Sequence, residues 1–328
     1  MKILLDILIL LVGFVALIKG ADWFVDGSAA VARKFRVPGV IIGLTIVAMG
    51  TSAPELAVST SAAIQGSNEI AISNVVGSNL FNLLVVLGIC AMIHPIPVGE
   101  PIVKRDYPVN LGITTMLALF TIPTAIASGR FFGWHMSENV ATVGRICGIL
   151  CLVIFAAYIF ILIRDAKKNR TEEDEENVKQ METWKCVLLI LVGIGLIVGG
   201  GEAVVYGAKN IALAAGMSET LVGLTIVALG TSLPELVTSI VAARKGQVDM
   251  AVGNCIGSNI FNILLILGVS ATIHPISVNV ANVVDLGILL IVSLIAYFFC
   301  INNRRITRDE GFVMVLLYAA DMVFAVLR

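Results

Sequence analysis

Two copies of one short motif place a glutamate close to two hydroxyl side chains. The first copy is GTSAPE at residues 50–55, and the second is GTSLPE at residues 230–235. Carboxylate and hydroxyl oxygens are hard ligands that suit Ca2+, whereas Zn2+ and Cu ions prefer nitrogen or sulfur. The motif therefore predicts an oxygen-lined cation site with Glu55 and Glu235 as its charged members. Its hydroxyl groups belong to Thr51, Ser52, Thr231 and Ser232.

A proline directly before each glutamate should interrupt the helix that carries the motif. Proline lacks an N–H and clashes with the carbonyl one turn back, so Pro54 and Pro234 should free carbonyls near Gly50 and Gly230. Inside a membrane, such carbonyls need a hydroxyl, a water molecule or a cation as partner. Two further residues whose carbonyls lie close by are Ala48 and Ala228.

A second duplicated motif, GSNLFN and GSNIFN, adds neutral oxygen atoms. Ser78 and Asn82 are four residues apart, as are Ser258 and Asn262, so each pair lies on one face of a helix. We expect these side chains to supply hydroxyl and amide oxygens to the same cavity, with interhelical hydrogen bonding as the alternative role. Two neighbouring side chains fall off that face and are expected to brace nearby backbone: Asn79 and Asn259.

The composition of the chain indicates that these motifs lie in a membrane. The 328 residues are 58% hydrophobic and 14% charged, with a mean hydropathy of +0.97. A soluble domain carries about 25% charged residues, so this chain cannot cover itself with a polar surface. The net charge of −1 and the absence of a basic tail argue against a nucleic-acid partner.

About ten stretches of the sequence are long and apolar enough to cross a bilayer as helices. Two of them, 38–64 and 218–243, are interrupted by Gly, Thr, Ser and Pro. We therefore predict an all-α polytopic membrane protein. The approximate limits of the spans are 3–20, 38–64, 70–93, 107–127, 141–163, 185–207, 218–243, 249–272, 279–300 and 310–327.

The two halves of the chain are repeats of one another. A shift of 180 residues aligns Gly43–Ile96 with Gly223–Ile276, and 31 of the 54 positions are then identical without a gap. Each half holds about five spans, and because five is odd, the second half should be inverted in the membrane. Inverted repeats place ions near the midplane between the halves. The predicted division is a first five-helix repeat at 1–164, a cytoplasmic linker at 165–184 and a second, inverted repeat at 185–328.

The distribution of basic residues predicts the orientation of the chain. Of the 22 Lys and Arg residues, 17 fall in the first, third, fifth, seventh and ninth connections between spans. Cytoplasmic loops carry the excess of Lys and Arg, so these connections should face the cytoplasm. We therefore expect a multi-pass protein of the plasma (inner) membrane with both termini outside.

Placing the two glutamates inside a membrane is energetically unfavourable. An ionisable side chain near the centre of a bilayer indicates a functional site, and neither Glu55 nor Glu235 has a Lys or Arg in its own span core. Two facing carboxylates would repel each other and take up protons unless a cation neutralises them. Two ionised carboxylates match the charge of one Ca2+ or of a pair of Na+ ions.

The paired motifs G-T-S-x-P-E and G-S-N-x-F-N, present once in each half, resemble the α-repeats of the sodium/calcium exchanger family. This family lies within the cation/calcium antiporter superfamily, and the resemblance to its compact prokaryotic members covers nearly the whole chain. It implies a ten-helix fold with cation sites clustered at its centre.

Carried over by position, the resemblance implies that Glu55 and Glu235 bind Ca2+ and share in Na+ binding. The other ligands that it implies are Thr51 and Thr231 for Ca2+, Ser52, Ser232, Ser78 and Ser258 for Na+, the carbonyls of Ala48 and Ala228, and Asn82 and Asn262 beside the central position.

Sequence differences from related branches of the superfamily indicate which ion is coupled to Ca2+ transport. The potassium-dependent branch and some archaeal exchangers carry aspartate where this chain has Asn262, which argues against potassium co-transport. Proton-coupled calcium exchangers carry an acidic residue in a G-N-x-x-E pattern, whereas this chain has Ser78 and Asn82 there, which favours Na+ over H+. The linker at 165–184 is too short for the regulatory calcium-binding loop of animal exchangers.

The sequence thus predicts a secondary active antiporter that exchanges Na+ for Ca2+ by alternating access. An H+/Ca2+ antiporter, a K+-dependent cation antiporter and a calcium channel are the alternatives. No nucleophile–base pair or cofactor motif stands out, so we expect neither enzymatic activity nor a cofactor. The expected partners are Ca2+ and Na+ as substrates and membrane lipid, without an obligate protein partner.

Overall fold

The computed structural model describes residues 2–66, 69–129, 131, 135–168, 181–217 and 228–327. Two parts of the sequence interpretation lie outside these residues, namely 169–180 of the predicted linker and 218–227 of the predicted seventh span. The helices in the described part are α1 (Lys2–Phe35), α2 (Gly39–Thr51), α3 (Ala53–Ile64), α4 (Glu69–Ile93), α5 (Ile102–Ala127), α6 (Arg145–Lys168), α7 (Thr183–Ala214), α8 (Ala228–Gly230), α9 (Leu233–Arg244), α10 (Val248–Ile273), α11 (Val280–Ile301) and α12 (Arg308–Leu327).

Short strands join some of the connections between these helices. They form two antiparallel pairs, β1 (Ile96–Pro97) with β4 (Arg305–Ile306) and β2 (Asn139–Val143) with β3 (Ile276–Asn279). Because these strands are so short, the chain within the described ranges is almost entirely helical.

The described helices confirm a polytopic helical membrane fold. Within the described residues, eight helices are long and apolar enough to cross a bilayer, and the bent pair α2–α3 would make a ninth. The predicted interruption of the second span is confirmed, since α2 and α3 meet at a bend of 50°. The total of ten spans stays a prediction, because part of the seventh lies outside the described residues.

Two helices are much longer than the predicted spans. The spans 3–20 and 185–207 were expected, whereas α1 extends over Lys2–Phe35 and α7 over Thr183–Ala214. Lys19, near the end of the predicted first span, therefore lies in the middle of α1. Hydropathy placed the end of α1 too early because the polar residues of its second half have partners in the fold.

Lys245, directly after α9, provides such a partner. Its Nζ lies 2.7 Å from a carboxylate oxygen of Asp22 and 2.7 Å from one of Asp26, both on α1. Burial lowers the pKa of Lys245, but the hydrogen bonds to both aspartates outweigh burial and raise this pKa overall. The charged second half of α1 is thus compatible with a continuous helix.

Glycines allow α1 and α7 to pack in close contact. A Cβ atom on Gly20 would lie 2.8 Å from the backbone nitrogen of Ile197, and one on Gly200 would lie 2.6 Å from that of Leu17. Side chains cannot relieve contacts with backbone atoms, so larger residues at these positions would force the helices apart.

The chain divides into two compact units that do not coincide with the sequence repeats. Unit 1 comprises Met1–Pro54 and Leu162–Cys255, and unit 2 comprises Glu55–Ile161 and Ile256–Arg328. Each unit therefore contains segments of both repeats. Contacts between the two repeats therefore occur inside each unit.

Unit 2 contains an ion pair with a buried carboxylate at the start of α5. The carboxylate of Asp106 is fully buried and accepts hydrogen bonds from Arg105 Nε at 2.7 Å and from Arg105 Nη2 at 3.0 Å. The hydroxyl of Tyr158 on α6 donates to the same carboxylate at 3.1 Å. These bonds connect the start of α5 to the middle of α6.

We expect Asp106→Ala to lower the thermal unfolding midpoint of the purified protein markedly. The substitution leaves the hydroxyl of the buried Tyr158 without this acceptor and the partly buried guanidinium of Arg105 without this carboxylate, and losing such a partner costs about 1–3 kcal/mol. Glu100→Gln is the control, since Glu100 pairs with Lys104 at an exposed site, where ion pairs contribute little. Equal midpoints for Asp106→Ala and the wild-type protein would show that the contacts of this carboxylate do not stabilise the fold.

Candidate ion-binding site

The first GTSxPE motif forms the break between α2 and α3. The backbone N–H of Ser52 donates to the carbonyl of Ala48 at 3.0 Å and closes the last turn of α2. Ala53 then begins α3, with Pro54 as its second residue, where a missing N–H costs no helical hydrogen bond. Ser52 therefore lies between the two helices, at the break that directly precedes the turn carrying Glu55.

The second motif forms an equivalent break between α8 and α9. Thr231 and Ser232 lie between the two helices, with Thr231 half-buried and Ser232 buried. The N–H of Ser232 donates to the carbonyl of Leu229 at 3.2 Å, and Leu233 begins α9. Ala228 begins α8, and its side chain lies outside the described part of the chain.

A glycine at an equivalent position of each repeat ends the helix that follows the break. Gly66 follows the C-terminus of α3 and Gly246 follows that of α9, with φ angles of +76° and +75°. Only glycine adopts this left-handed conformation without strain, which makes it a common helix terminator. The short helices that carry the two glutamates are therefore bounded in the same way in both repeats.

In unit 1, the carboxylate of Glu235 lies among hydroxyl and amide groups. Glu235 is fully buried, and its Oε1 accepts a hydrogen bond from the hydroxyl of Ser52 at 2.9 Å. The hydroxyl of Thr51 lies 3.0 Å from Oδ1 of Asn254, which is also fully buried. Thr51 and Ser52 belong to the first repeat and Glu235 and Asn254 to the second, so both repeats contribute to this cluster.

Glu55 lies in the first turn of α3, in unit 2, and is also fully buried. Its carbonyl oxygen lies 3.4 Å from Nδ2 of Asn74, which also donates to the hydroxyl of Ser59 at 3.0 Å. The equivalent contacts of Asn254 in unit 1 are 3.5 Å to the carbonyl of Glu235 and 2.9 Å to the hydroxyl of Ser239. The backbone of each glutamate is therefore held in the same way.

Sequence reasoning missed the residues that make these supporting contacts. They could have been found, because each is identical in the two repeats at a separation of 180 residues. They did not stand out because they lie outside the two short motifs. The residues are Ser59 and Ser239, together with Asn74 and Asn254.

A second polar cluster in unit 2 joins α4 to α10. Nδ2 of Asn79 donates to the carbonyl of Asn259 at 3.3 Å, and Nδ2 of Asn259 donates to the carbonyl of Asn79 at 3.4 Å. The prediction that these asparagines brace neighbouring backbone is thus confirmed. Nδ2 of Asn262 donates to Oδ1 of Asn79 at 2.9 Å and to the hydroxyl of Ser78 at 3.1 Å.

Some oxygen atoms of this cluster are buried without a hydrogen-bond partner. Among the residues that the structure describes, they include Oγ of Ser258 and Oδ1 of both Asn259 and Asn262. A buried polar atom left unsatisfied costs about 1–3 kcal/mol, so native proteins usually provide it with a partner. A bound cation would satisfy such oxygen atoms, and the donor set consists of hard oxygens.

A π-helical turn begins at each of the two motif asparagines. Within α4 it spans Asn82–Val86, and within α10 it spans Asn262–Ile266. Both asparagines are fully buried. Single π-helical turns widen a helix locally and are frequent at functional sites, which fits their occurrence at equivalent positions of the two repeats.

The chemistry of both clusters is that of oxygen ligands with few charges. In the described ranges, no group of three or more His, Cys, Asp or Glu side chains could hold a metal ion. A cation near these residues would meet carboxylate, hydroxyl and amide oxygens, which are ligands for Ca2+ and Na+. The ligand assignments made from the sequence stay predictions.

Comparison with known proteins identifies the family. Residues 5–164 and 185–327 match the family model described as sodium/calcium exchanger protein. The inner membrane protein YrbG of Escherichia coli strain K12 is 33% identical over 327 residues, an alignment that covers 98% of this chain and 96% of YrbG. The sodium/calcium exchanger MaX1 of Methanosarcina acetivorans is 32% identical over 344 residues, which cover 98% of each protein.

The fold is also similar to a solved structure. The sodium-calcium exchanger NCX_Mj, soaked with Na+ and Sr2+, superposes with a TM-score of 0.81 at 32% identity, and the match covers 98% of each chain. The sequence match, the helical membrane fold and the duplicated motifs agree. This chain therefore belongs to the sodium/calcium exchanger family.

Proposed function

We propose that this protein exchanges Na+ for Ca2+ across the plasma (inner) membrane by alternating access. Membership of the sodium/calcium exchanger family supports cation/calcium antiport in general. The observation that carries the specific proposal is the buried Glu235, whose carboxylate accepts from Ser52 of the other repeat. A buried carboxylate is strongly disfavoured by desolvation unless a cation or a proton compensates its charge.

The charge of the proposed ligands explains why the two ions would compete. The two buried glutamates contribute two negative charges, which one Ca2+ or a pair of Na+ ions would neutralise. Asn82 and Asn262 are neutral, so they add oxygen atoms without further charge. Loading with either ion then leaves the ligands close to neutral, which allows the same residues to bind the ions alternately.

The proposed ligands comprise both motif copies. Glu55 and Glu235 would bind Ca2+ and share in Na+ binding. The remaining assignments are Thr51 and Thr231 for Ca2+, Ser52, Ser232, Ser78 and Ser258 for Na+, the carbonyls of Ala48 and Ala228, and Asn82 and Asn262 beside the central position.

The arrangement in the membrane belongs to the same proposal. Two inverted repeats at 1–164 and 185–328, joined by a cytoplasmic linker, would alternate the access of ions, with both termini outside. The relative YrbG bears the name inner membrane protein, which supports this location. No further cofactor or protein partner is needed for such a cycle.

We expect vesicles that contain the purified protein and internal Na+ to take up Ca2+ when diluted into Na+-free buffer. Uptake should follow the outward Na+ gradient, since inward Ca2+ movement would be coupled to outward Na+ movement. Addition of K+ to either side should leave the rate unchanged, because Asn262 replaces the aspartate of the potassium-dependent branch. The measurement is radioactive Ca2+ uptake with the membrane potential clamped.

Protein-free vesicles and vesicles without a Na+ gradient are the controls for this experiment. Uptake driven by an imposed H+ gradient but not by Na+ would replace the proposal with proton-coupled exchange. Ca2+ flux that needs no counter-ion gradient would indicate a channel.

A further inference from the structure

One asparagine of unit 1, Asn254, connects three structural elements. It lies on α10, and its Nδ2 contacts the hydroxyl of Ser239 at 2.9 Å and the carbonyl of Glu235 at 3.5 Å, both on α9. Its Oδ1 lies 3.0 Å from the hydroxyl of Thr51, the last residue of α2. Asn254 is fully buried, so water does not compete for these contacts.

The chemistry of these partners determines how the amide of Asn254 is oriented. A backbone carbonyl can only accept a hydrogen bond, so the NH2 group must face the carbonyl of Glu235. The amide oxygen then faces Thr51, where it needs a donor. The hydroxyl of Thr51 has a single proton, and the contact with Asn254 is shorter than those with the carbonyls of Val47 at 3.1 Å and Ala48 at 3.4 Å.

This arrangement leaves the lone pairs of Thr51 Oγ1 for another partner. Once the hydroxyl proton is donated to Asn254, the oxygen can only accept a hydrogen bond or bind a cation. The amide also contacts the backbone of Glu235, whose carboxylate accepts from Ser52. Asn254 therefore orients Thr51 and supports Glu235 at the same time.

The other repeat contains an equivalent of the contact between the amide and the glutamate backbone. Asn74 in the first repeat makes the same contacts, at 3.0 Å to Ser59 and 3.4 Å to the carbonyl of Glu55. The neighbours of the two asparagines differ, with Gly253 before Asn254 and Ser73 before Asn74. The same support of the glutamate backbone thus occurs in both repeats despite different local sequences.

We propose that Asn254 is a positioning residue that orients the hydroxyl of Thr51 as an acceptor toward the transported cation. The proposal rests on the proposed Na+/Ca2+ exchange, since it assigns a role within the same site. Asn254 acts through Thr51 and Glu235, and its own side chain is not a ligand. A loss of Asn254 should therefore weaken Ca2+ binding rather than only destabilise the fold.

The test is a double-mutant cycle on Ca2+ uptake by reconstituted protein. Asn254→Leu retains the volume of the side chain but removes the acceptor, and we expect it to raise the KM for Ca2+ about tenfold, equivalent to about 1.4 kcal/mol. Thr51→Val should raise the KM similarly, whereas Thr51→Ser should restore it. In the Thr51→Val background, Asn254→Leu should raise the KM by less than about threefold, because the interaction is already lost.

Asn282→Leu is the matched control, because Asn282 is also a buried asparagine that joins two helices through a bond of 2.7 Å to Ser73. It should lower the thermal unfolding midpoint without changing the KM.

Two results would overturn the proposal. Asn254→Leu could raise the KM for Ca2+ by the same factor in the wild-type and Thr51→Val backgrounds, or it could reduce the maximal rate at an unchanged KM. If Asn254→Leu does not fold, an unchanged KM in Thr51→Val overturns it and a raised KM restored by Thr51→Ser supports it. Failure of the wild-type protein to transport Ca2+ would instead contradict the proposed function.

Discussion

Glu55→Gln and Glu235→Gln should each abolish Na+-driven Ca2+ uptake. Glutamine retains the shape of the side chain and can still accept from Ser52 at the position of Glu235. It removes one negative charge from a buried site. A unit charge about 4 Å from another contributes roughly 4 kcal/mol at an effective dielectric constant of 20, so we expect Ca2+ affinity to fall by at least ~100-fold.

The two variants should have nearly equal effects. Both glutamates are fully buried, and an equivalent asparagine contacts the backbone of each. A large loss in one variant with normal transport in the other would mean that only one glutamate binds the transported ions. The initial rate of Ca2+ uptake and equilibrium binding of Ca2+ to the purified protein are the two measurements.

Glu182→Gln is the matched control for charge removal. Glu182 lies directly before α7, its side chain is 61% exposed, and it pairs with Lys185 at 3.0 Å. The same substitution at this position should leave both transport and Ca2+ binding close to wild-type values. If Glu182→Gln had the same effect as the two buried variants, loss of transport would reflect the net charge of the protein rather than the site.

Gly253→Val should prevent both stable folding and transport. A Cβ atom at Gly253 would lie 2.5 Å from the carbonyl oxygen of Val40 and 3.0 Å from both Cα of Gly43 and the backbone nitrogen of Leu44. All three are backbone atoms of α2, so no rotamer change relieves the overlap. The substitution must separate α10 from α2, and the contact between Asn254 and Thr51 would be lost with it.

Expression, monodispersity in detergent and the thermal unfolding midpoint test this expectation before transport is measured. Gly195→Val on α7 is the control, because nothing lies within 4 Å of a Cβ atom added there. It places the same side chain in a helix of the same unit and should be tolerated. A Gly253→Val protein with a wild-type unfolding midpoint and wild-type Ca2+ uptake would show that α2 and α10 need no close approach.

Several features of the fold could be predicted because they depend on local chemistry. The bend between α2 and α3 follows from Pro54, which cannot continue a helix from the preceding turn. The helical membrane fold follows from the apolar segments, because a helix forms all its backbone hydrogen bonds within one segment and the bilayer core offers no water as an alternative partner. The extent of α1 was mispredicted, because the partner of Asp22 and Asp26 lies more than 200 residues away in sequence.

At the site, the two glutamates could likewise be predicted from the sequence, whereas their contacts with distant segments could not. Their types, their burial in an apolar chain and their duplication at a separation of 180 residues were sufficient to select them from the sequence. Their neighbours were not, because Ser52 meets Glu235 across 183 positions and Thr51 meets Asn254 across 203. Spacing along one helix cannot predict a contact between helices of different repeats.

The sequence by itself determined the family, the membrane location and the residue types able to bind a cation, because composition, periodicity and the repeat are properties of the chain. The tertiary structure decided which hydroxyl groups face which carboxylates and which amides orient them. It also brings backbone atoms of α2 within 3.0 Å of a Cβ atom added at Gly253, although the other repeat has Ser73 at the equivalent position. The physical reason is that hydrogen-bond direction and close helix contact depend on distances between segments, which packing alone establishes.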